Sequence, residues 1–158
     1  MIYRLPELAE QKIGRFYLSG AWRAWPEAVA YAGQAGGEVV LPYEAVTVNA
    51  VLSPSADEVE TMLGMMPTGE TPLVEVKQNG RFLTPDIAGK DVTVLENGRS
   101  VLFVKRPKMY ELVNNQYFGR QQLTLTFQAQ GTALYTFTFS TCIAPASDDE
   151  KARLMQLP

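Results

Sequence analysis

Residues 121–127 read QQLTLTF and residues 134–142 read LYTFTFSTC. Large apolar side chains alternate with threonines in both runs. Successive side chains on a strand point to opposite faces, so a period of two marks a half-buried β-strand. Threonine and the aromatics also suit a pleated surface. The two runs therefore predict an all-β fold, with residues 129–131 joining them near the end of the chain.

Working outward, further strand candidates lie at 15–21 (RFYLSGA), 38–43 (EVVLPY), 47–52 (TVNAVL), 73–77 (LVEVK), 81–84, 91–95 and 100–104 (SVLFV). Pro42 has no N–H to give a ladder, which predicts an edge or a bulge there. Asn79-Gly80 and Asn97-Gly98 predict two tight reversals. Pro26 favours a short helical turn through residues 26–32. Residues 53–69 read as a long loop with one helical turn at 56–63, and Met62, Leu63, Met65 and Met66 cover an end of the core. Residues 106–113 (RPKMYELV) read as a turn or short strand, residues 114–120 as a polar loop, and residues 148–157 as weakly helical. Eight or nine short strands with frequent turns and no βα alternation predict a sandwich, jelly roll or barrel. The expected division is a lead-in over 1–14, one β-sandwich domain over 15–144 and a C-terminal tail over 145–158.

The chain has 158 residues, 46% of them hydrophobic and 20% charged, with a formal net charge of −3. That is enough for one domain with its own core. No basic stretch suits a phosphate backbone, so nucleic acid is not an expected partner. No apolar run approaches a membrane span, and residues 1–11 do not read as a secretory signal. Histidine is absent, which removes the usual base near neutral pH and the commonest metal ligand. The one cysteine, Cys142, has no partner for a disulfide or a CxxC pair and reads as a buried thiol. Ser53 and Ser55 lack a histidine partner. Asp86 and Asp91 do not by their spacing place two acids across a glycosidic bond. Asp57, Glu58 and Glu60 read as a solvated acidic loop. No catalytic residue, metal ligand or cofactor is expected.

Several segments, in order, resemble one family. They are YRLP at 3–6, FYLSGAW at 16–22, VNAVLSP at 48–54, VEVKQNG at 74–80, GKDV at 89–92, RPKMYELV at 106–113, and the closing LTLTFQAQGTALYTFTFSTC. The ordered set resembles the C-terminal domain of DipZ-type proteins, in which a cytochrome c biogenesis-like membrane part and a thioredoxin-like domain come first. The resemblance spans roughly nine-tenths of the chain. It implies a jelly-roll β-sandwich of the galactose-binding-like or carbohydrate-binding-module type, in an extracytoplasmic or periplasmic setting. The CxxC of the thioredoxin-like domain has no counterpart here, so redox activity does not carry over to this chain.

A tryptophan face can stack on the apolar face of a sugar. Trp22, Trp25 and Tyr31 are therefore the candidate ligand-binding aromatics, although Trp22 reads first as a core plug at the end of the first strand. Arg23, Glu27, Tyr43, Glu44 and Asn49 are the candidate polar groups that would orient a ligand. Glu75, Lys77 and Arg81 read as cross-strand charge pairs, and Arg106, Lys108 and Tyr110 as structural. The expected function is that of a non-catalytic accessory module. Its partner is either a glycan, or a thioredoxin-like domain or envelope protein on which it docks.

Overall fold

The computed structural model of the chain describes residues 1–7, 10–57 and 71–141. The expectations for Cys142, for the methionines at 62–66 and for residues 148–157 lie outside them. Among the described residues, ten strands form one antiparallel sheet: β1 (Ile2–Tyr3), β2 (Tyr17–Ala24), β3 (Val29–Tyr31), β4 (Gly37–Ser53), β5 (Leu73–Gln78), β6 (Arg81–Phe82), β7 (Val92–Val94), β8 (Ser100–Phe103), β9 (Lys108–Phe127) and β10 (Ala133–Ser140). Their order is β1-β2-β3-β10-β4-β9-β5-β8-β7, with β6 on β5. Because β2 also pairs with β4, the pairings of β2, β3, β10 and β4 close into a ring. The all-β expectation is met at this level.

The two longest strands carry the sheet. β4 pairs with β9 from Gly37↔Phe127 to Leu52↔Lys108. Where the sequence suggests two strands separated near Pro42, there is one. Pro42 is tolerated because its polar edge meets no ladder. β2 covers β4 only at Glu38–Val40, and β10 only at Thr47–Ser53. In the window between them the Pro42 carbonyl accepts a hydrogen bond from the Gly14 N–H (2.7 Å). The missing donor faces the same gap, so no ladder bond is lost.

The opening runs become the last part of β9 and most of β10. In β9, Leu123, Leu125 and Phe127 are fully buried, and Thr124 and Thr126 stand half-buried on the other face. In β10 the alternation breaks. The register shifts between Leu134 and Thr136, as in a β-bulge. Leu134 and Phe137 pack against the main core, whereas Tyr135 packs against a separate small cluster of Ala28, Ala30 and Ala133. The two runs are not neighbours, because β4 lies between them.

Both Asn-Gly reversals form as expected. Lys77↔Phe82 and Gln78↔Arg81 leave Asn79 and Gly80 as a two-residue loop with φ of 54° and 81°. Positive φ at both positions is the type I′ turn that matches strand twist. In the second, the Leu95 N–H donates to the Arg99 carbonyl (2.8 Å) and Gly98 N–H to the Leu95 carbonyl (2.9 Å).

Two local expectations are corrected. Residues 26–32 form no helical turn. The Trp25 N–H donates to the Ala28 carbonyl (2.8 Å), Pro26 and Glu27 make the reversal, and β3 returns along β2 with Trp22↔Tyr31. Proline starts a β-turn as readily as a helix. Here Ala30 and Tyr31 are both buried and belong to different clusters, which a strand allows and a single-turn helix does not. Residues 114–120 are no loop but the middle of β9. Four residues, 115–118, stand opposite Val46 alone, and Gln116 takes φ 69°. This wide irregularity turns Asn115 inward and leaves Tyr117 and Phe118 exposed.

At the far edge, residues 84–91 lie tightly on β9. The Gly89 N–H donates to the Leu112 carbonyl (2.9 Å) and Asn114 N–H to the Ile87 carbonyl (2.8 Å). A side-chain carbon at Gly89 would fall on the Glu111 carbonyl, so only glycine permits this approach. Residues 1–3 add a short edge strand. Its Met1 nitrogen donates to the Trp22 carbonyl (3.1 Å), and the Trp22 N–H donates back to the Met1 carbonyl (2.9 Å).

Candidate functional site

The β2–β3 hairpin places the candidate aromatics, and alternation along its strands divides them. Trp22 and Tyr31 point into the core. Trp22 is 0% exposed, with its ring edge-on to Tyr31 (5.5 Å) and Phe127 (5.1 Å). Its indole N–H donates to the Ser19 carbonyl (2.9 Å), and the Tyr31 hydroxyl accepts from the Gly36 N–H (2.6 Å). Both rings are satisfied and enclosed, so neither offers a face to solvent.

Arg23, Trp25 and Glu27 stand together outside. Trp25 is half-buried against the small alanine cluster, while Arg23 and Glu27 are exposed. The Arg23 guanidinium lies 4.6 Å over the Trp25 ring, a cation–π contact. Trp25 forms a ridge between two open depressions. One, of about 480 Å³, is lined by Pro26, Glu27, Ala28 and Tyr135. The other, of about 310 Å³, is lined by Arg23, Ala32, Ser55 and Gln130, and Tyr31, though its side chain is buried in the core, also borders it. Trp25, Ala56 and Asp57 border both. The arrangement offers a flat apolar surface edged by a guanidinium, two carboxylates, a phenol and an amide, which suits a neutral polyol with both apolar and hydroxyl faces.

Asp57 and Tyr135 belong to this site but were not among the expected residues. Tyr135 reaches it through the β10 bulge, which alternation alone does not reveal. Asp57 comes from the segment after β4, where the sequence suggests only a solvated acidic run.

Tyr43, Glu44 and Asn49 line neither depression. Tyr43 is fully buried; its hydroxyl donates to Gln78 Oε1 and accepts from Asn115 Nδ2 (2.8 Å). Burial pushes its phenol up to about 12, against a smaller lowering by the Asn115 hydrogen bond. Glu44 pairs with Arg120 across to β9 (3.1 Å). Asn49 is half-buried, with Thr138 on one side and Glu111 on the other. Of the expected cross-strand charges, Glu75 pairs with Arg99, and Lys77 lies 4.6 Å over the Phe82 ring. Among the described residues, no group of three or more acidic, cysteine or histidine side chains is placed to hold a metal ion. With one cysteine in the sequence, dithiol redox chemistry has no site within this chain.

Residues 2–140 match the family described as "Thioredoxin like C-terminal domain". No curated protein matches the chain. Among solved structures, the fold is similar to part of a family two carbohydrate esterase from Cellvibrio japonicus, with a TM-score of 0.54 and 12% identity. That likeness covers 84% of this chain and 32% of the esterase, so the chain spans about a third of that protein's length. At this identity it is a likeness of fold.

Proposed function

This chain belongs to the thioredoxin-like C-terminal domain family, and from that premise we propose that it is a carbohydrate-binding accessory module of a DipZ-type envelope protein. In this reading it is non-catalytic, works outside the cytoplasm, and is built as a galactose-binding-like jelly roll. The observation that carries the proposal is the half-exposed Trp25 ring standing between two open depressions, with Arg23, Glu27, Asp57 and Tyr135 around it. The fold likeness to part of a carbohydrate esterase agrees with a saccharide ligand without specifying one.

Calorimetric titration with a panel of soluble oligosaccharides tests the proposal. Trp25→Ala is expected to weaken binding by roughly tenfold, the worth of one stacked ring, with little change in thermal unfolding. The chain has only two tryptophans and Trp22 is buried, so a ligand at this site should also shift Trp25 emission. No heat and no emission change across the panel would sink the idea.

A second observation favours docking instead. Tyr117 and Phe118 are 66% and 52% exposed, side by side on the β9 irregularity. Adjacent solvent-facing aromatics are what protein interfaces use as anchors. If the module docks on its companion thioredoxin-like domain, adding that domain should perturb the NMR signals of Tyr117 and Phe118. Tyr117→Ser with Phe118→Ser should abolish the association. Perturbation confined to the Trp25 depressions, or none, would remove this reading.

A further inference from the structure

A third depression, of about 420 Å³, lies where the segment before β7 meets the β8–β9 connection. Lys90 and Asp91, Thr93 of β7, Phe103 at the end of β8, Lys105 and Arg106 of the connection, and Lys108 and Tyr110 of β9 line it. Four cations therefore face one carboxylate, in a chain whose net charge is −3. The local sign is opposite to that of the whole.

The floor of the depression is tied down. Asp91 accepts from Lys108 Nζ (3.2 Å) through one oxygen and from the Glu111 N–H (2.7 Å) through the other. Lys108 also lies 4.9 Å over the Tyr110 ring. The Tyr110 hydroxyl donates to the Arg106 carbonyl (2.7 Å), fixing the path of the connection. The Glu111 carboxylate accepts from the Lys90 N–H (2.7 Å). Asp91 thus has both oxygens engaged. Lys90, Lys105 and Arg106 are exposed, and none of their side chains forms an ion pair among the described residues. Phe103, 37% exposed, adds an apolar wall beside them.

We propose that this depression binds an oxyanionic group, such as a carboxylate, phosphate or sulfate. The anchored Lys108 sets the floor, Lys90, Lys105 and Arg106 close on the charge from the rim, and the Phe103 ring carries the body of the ligand. The Arg106 guanidinium can take an oxyanion through two parallel N–H donors. A continuous phosphate backbone fits less well, because the cations are confined to one concavity on an acidic protein. The site does not rest on the Trp25 reading and shares no residue with it.

The test is an amide NMR titration of the chain with inorganic phosphate, with trigalacturonate and with its neutral methyl ester. Both anions should move the signals of Lys90, Thr93, Phe103 and Lys105, and the shifts should diminish in high salt as screening shortens the reach of these exposed charges. Tighter trigalacturonate binding assigns a saccharide-borne acid, whereas equal binding of phosphate assigns a free anion. Lys105→Gln combined with Arg106→Gln should weaken either anion by about tenfold, the sum expected for two exposed charge contacts, with the unfolding midpoint and the Trp25 signals unchanged. Equal response to the neutral ester, insensitivity to salt, or no response at millimolar ligand would overturn the proposal.

Discussion

Replacing Trp22 with alanine is expected to cost about 3–5 kcal/mol of folding stability, read as a lower unfolding midpoint in denaturant. The ring is wholly enclosed and makes two edge-on aromatic contacts, so its removal leaves a cavity between β2, β3 and β9. The Ser19 carbonyl also loses its indole donor. Domains hold only about 5–15 kcal/mol in all, so this one change removes a large share of the total. Trp22→Phe should cost less, since it keeps most of the apolar volume and loses chiefly the N–H. The contrast with Trp25→Ala separates the two tryptophans. A ligand platform at position 22 would lose binding and keep its stability. An unchanged midpoint in Trp22→Ala would refute the structural role.

The strand period at residues 121–127 is legible because Leu123, Leu125 and Phe127 meet one core on one side only. The same rule misleads at 134–142, where the bulge at Tyr135 exchanges the faces within a single step. The Asn-Gly turns are legible because their conformation is local to two residues. Strand length is not. β4 runs through Pro42 only because β2 and β10 stop short on either side of it, a fact of topology. Likewise Asn115 looks like a loop residue until Tyr43 and Gln78 are brought to it from other strands.

The candidate site divides along the same line. Arg23, Trp25 and Glu27 lie on one hairpin, so their proximity follows from adjacency in the chain. Asp57 and Tyr135 arrive from segments distant in sequence. Trp22 and Tyr31 share the hairpin's composition but face inward. The two-residue period places them on the inner face once the hairpin is known, and the hairpin is hidden behind the helical reading of Pro26. The basic depression is hidden for a similar reason. Lys90 and Lys105 look like scattered surface charges until residues 84–91 are held against β9 by the close approach at Gly89.

The buried polar triad should be nearly as sensitive as Trp22. Asn115 Nδ2 donates to the Tyr43 hydroxyl (2.8 Å) and the Val46 carbonyl (3.2 Å), its Oδ1 accepts from Gln78 Nε2 (2.7 Å), and Tyr43 donates to Gln78 Oε1. Every member is satisfied by the others inside the core, and a buried donor or acceptor left unpaired costs about 1–3 kcal/mol. Asn115→Ala takes the partner from Gln78 Nε2 and the Val46 carbonyl and one of two partners from the Tyr43 hydroxyl, so a loss of about 3 kcal/mol is expected even after partial relaxation. The triad also carries a pH dependence. The phenol of Tyr43 is raised to about 12, because a phenolate there would be desolvated, an effect that outweighs the lowering by the Asn115 hydrogen bond. An unfolded tyrosine titrates near 10. A folded-state value above the unfolded one means that the contribution is complete below pH about 10 and is lost as pH rises toward about 12. The loss approaches about 2–3 kcal/mol at the top of that window. Tyr43→Phe should be less stable at neutral pH, since Gln78 Oε1 and Asn115 Nδ2 each lose a partner. It should also show a shallower fall in stability across the window. Equal slopes for the two proteins in denaturant titrations between those pH limits would show that Tyr43 is not the group responsible.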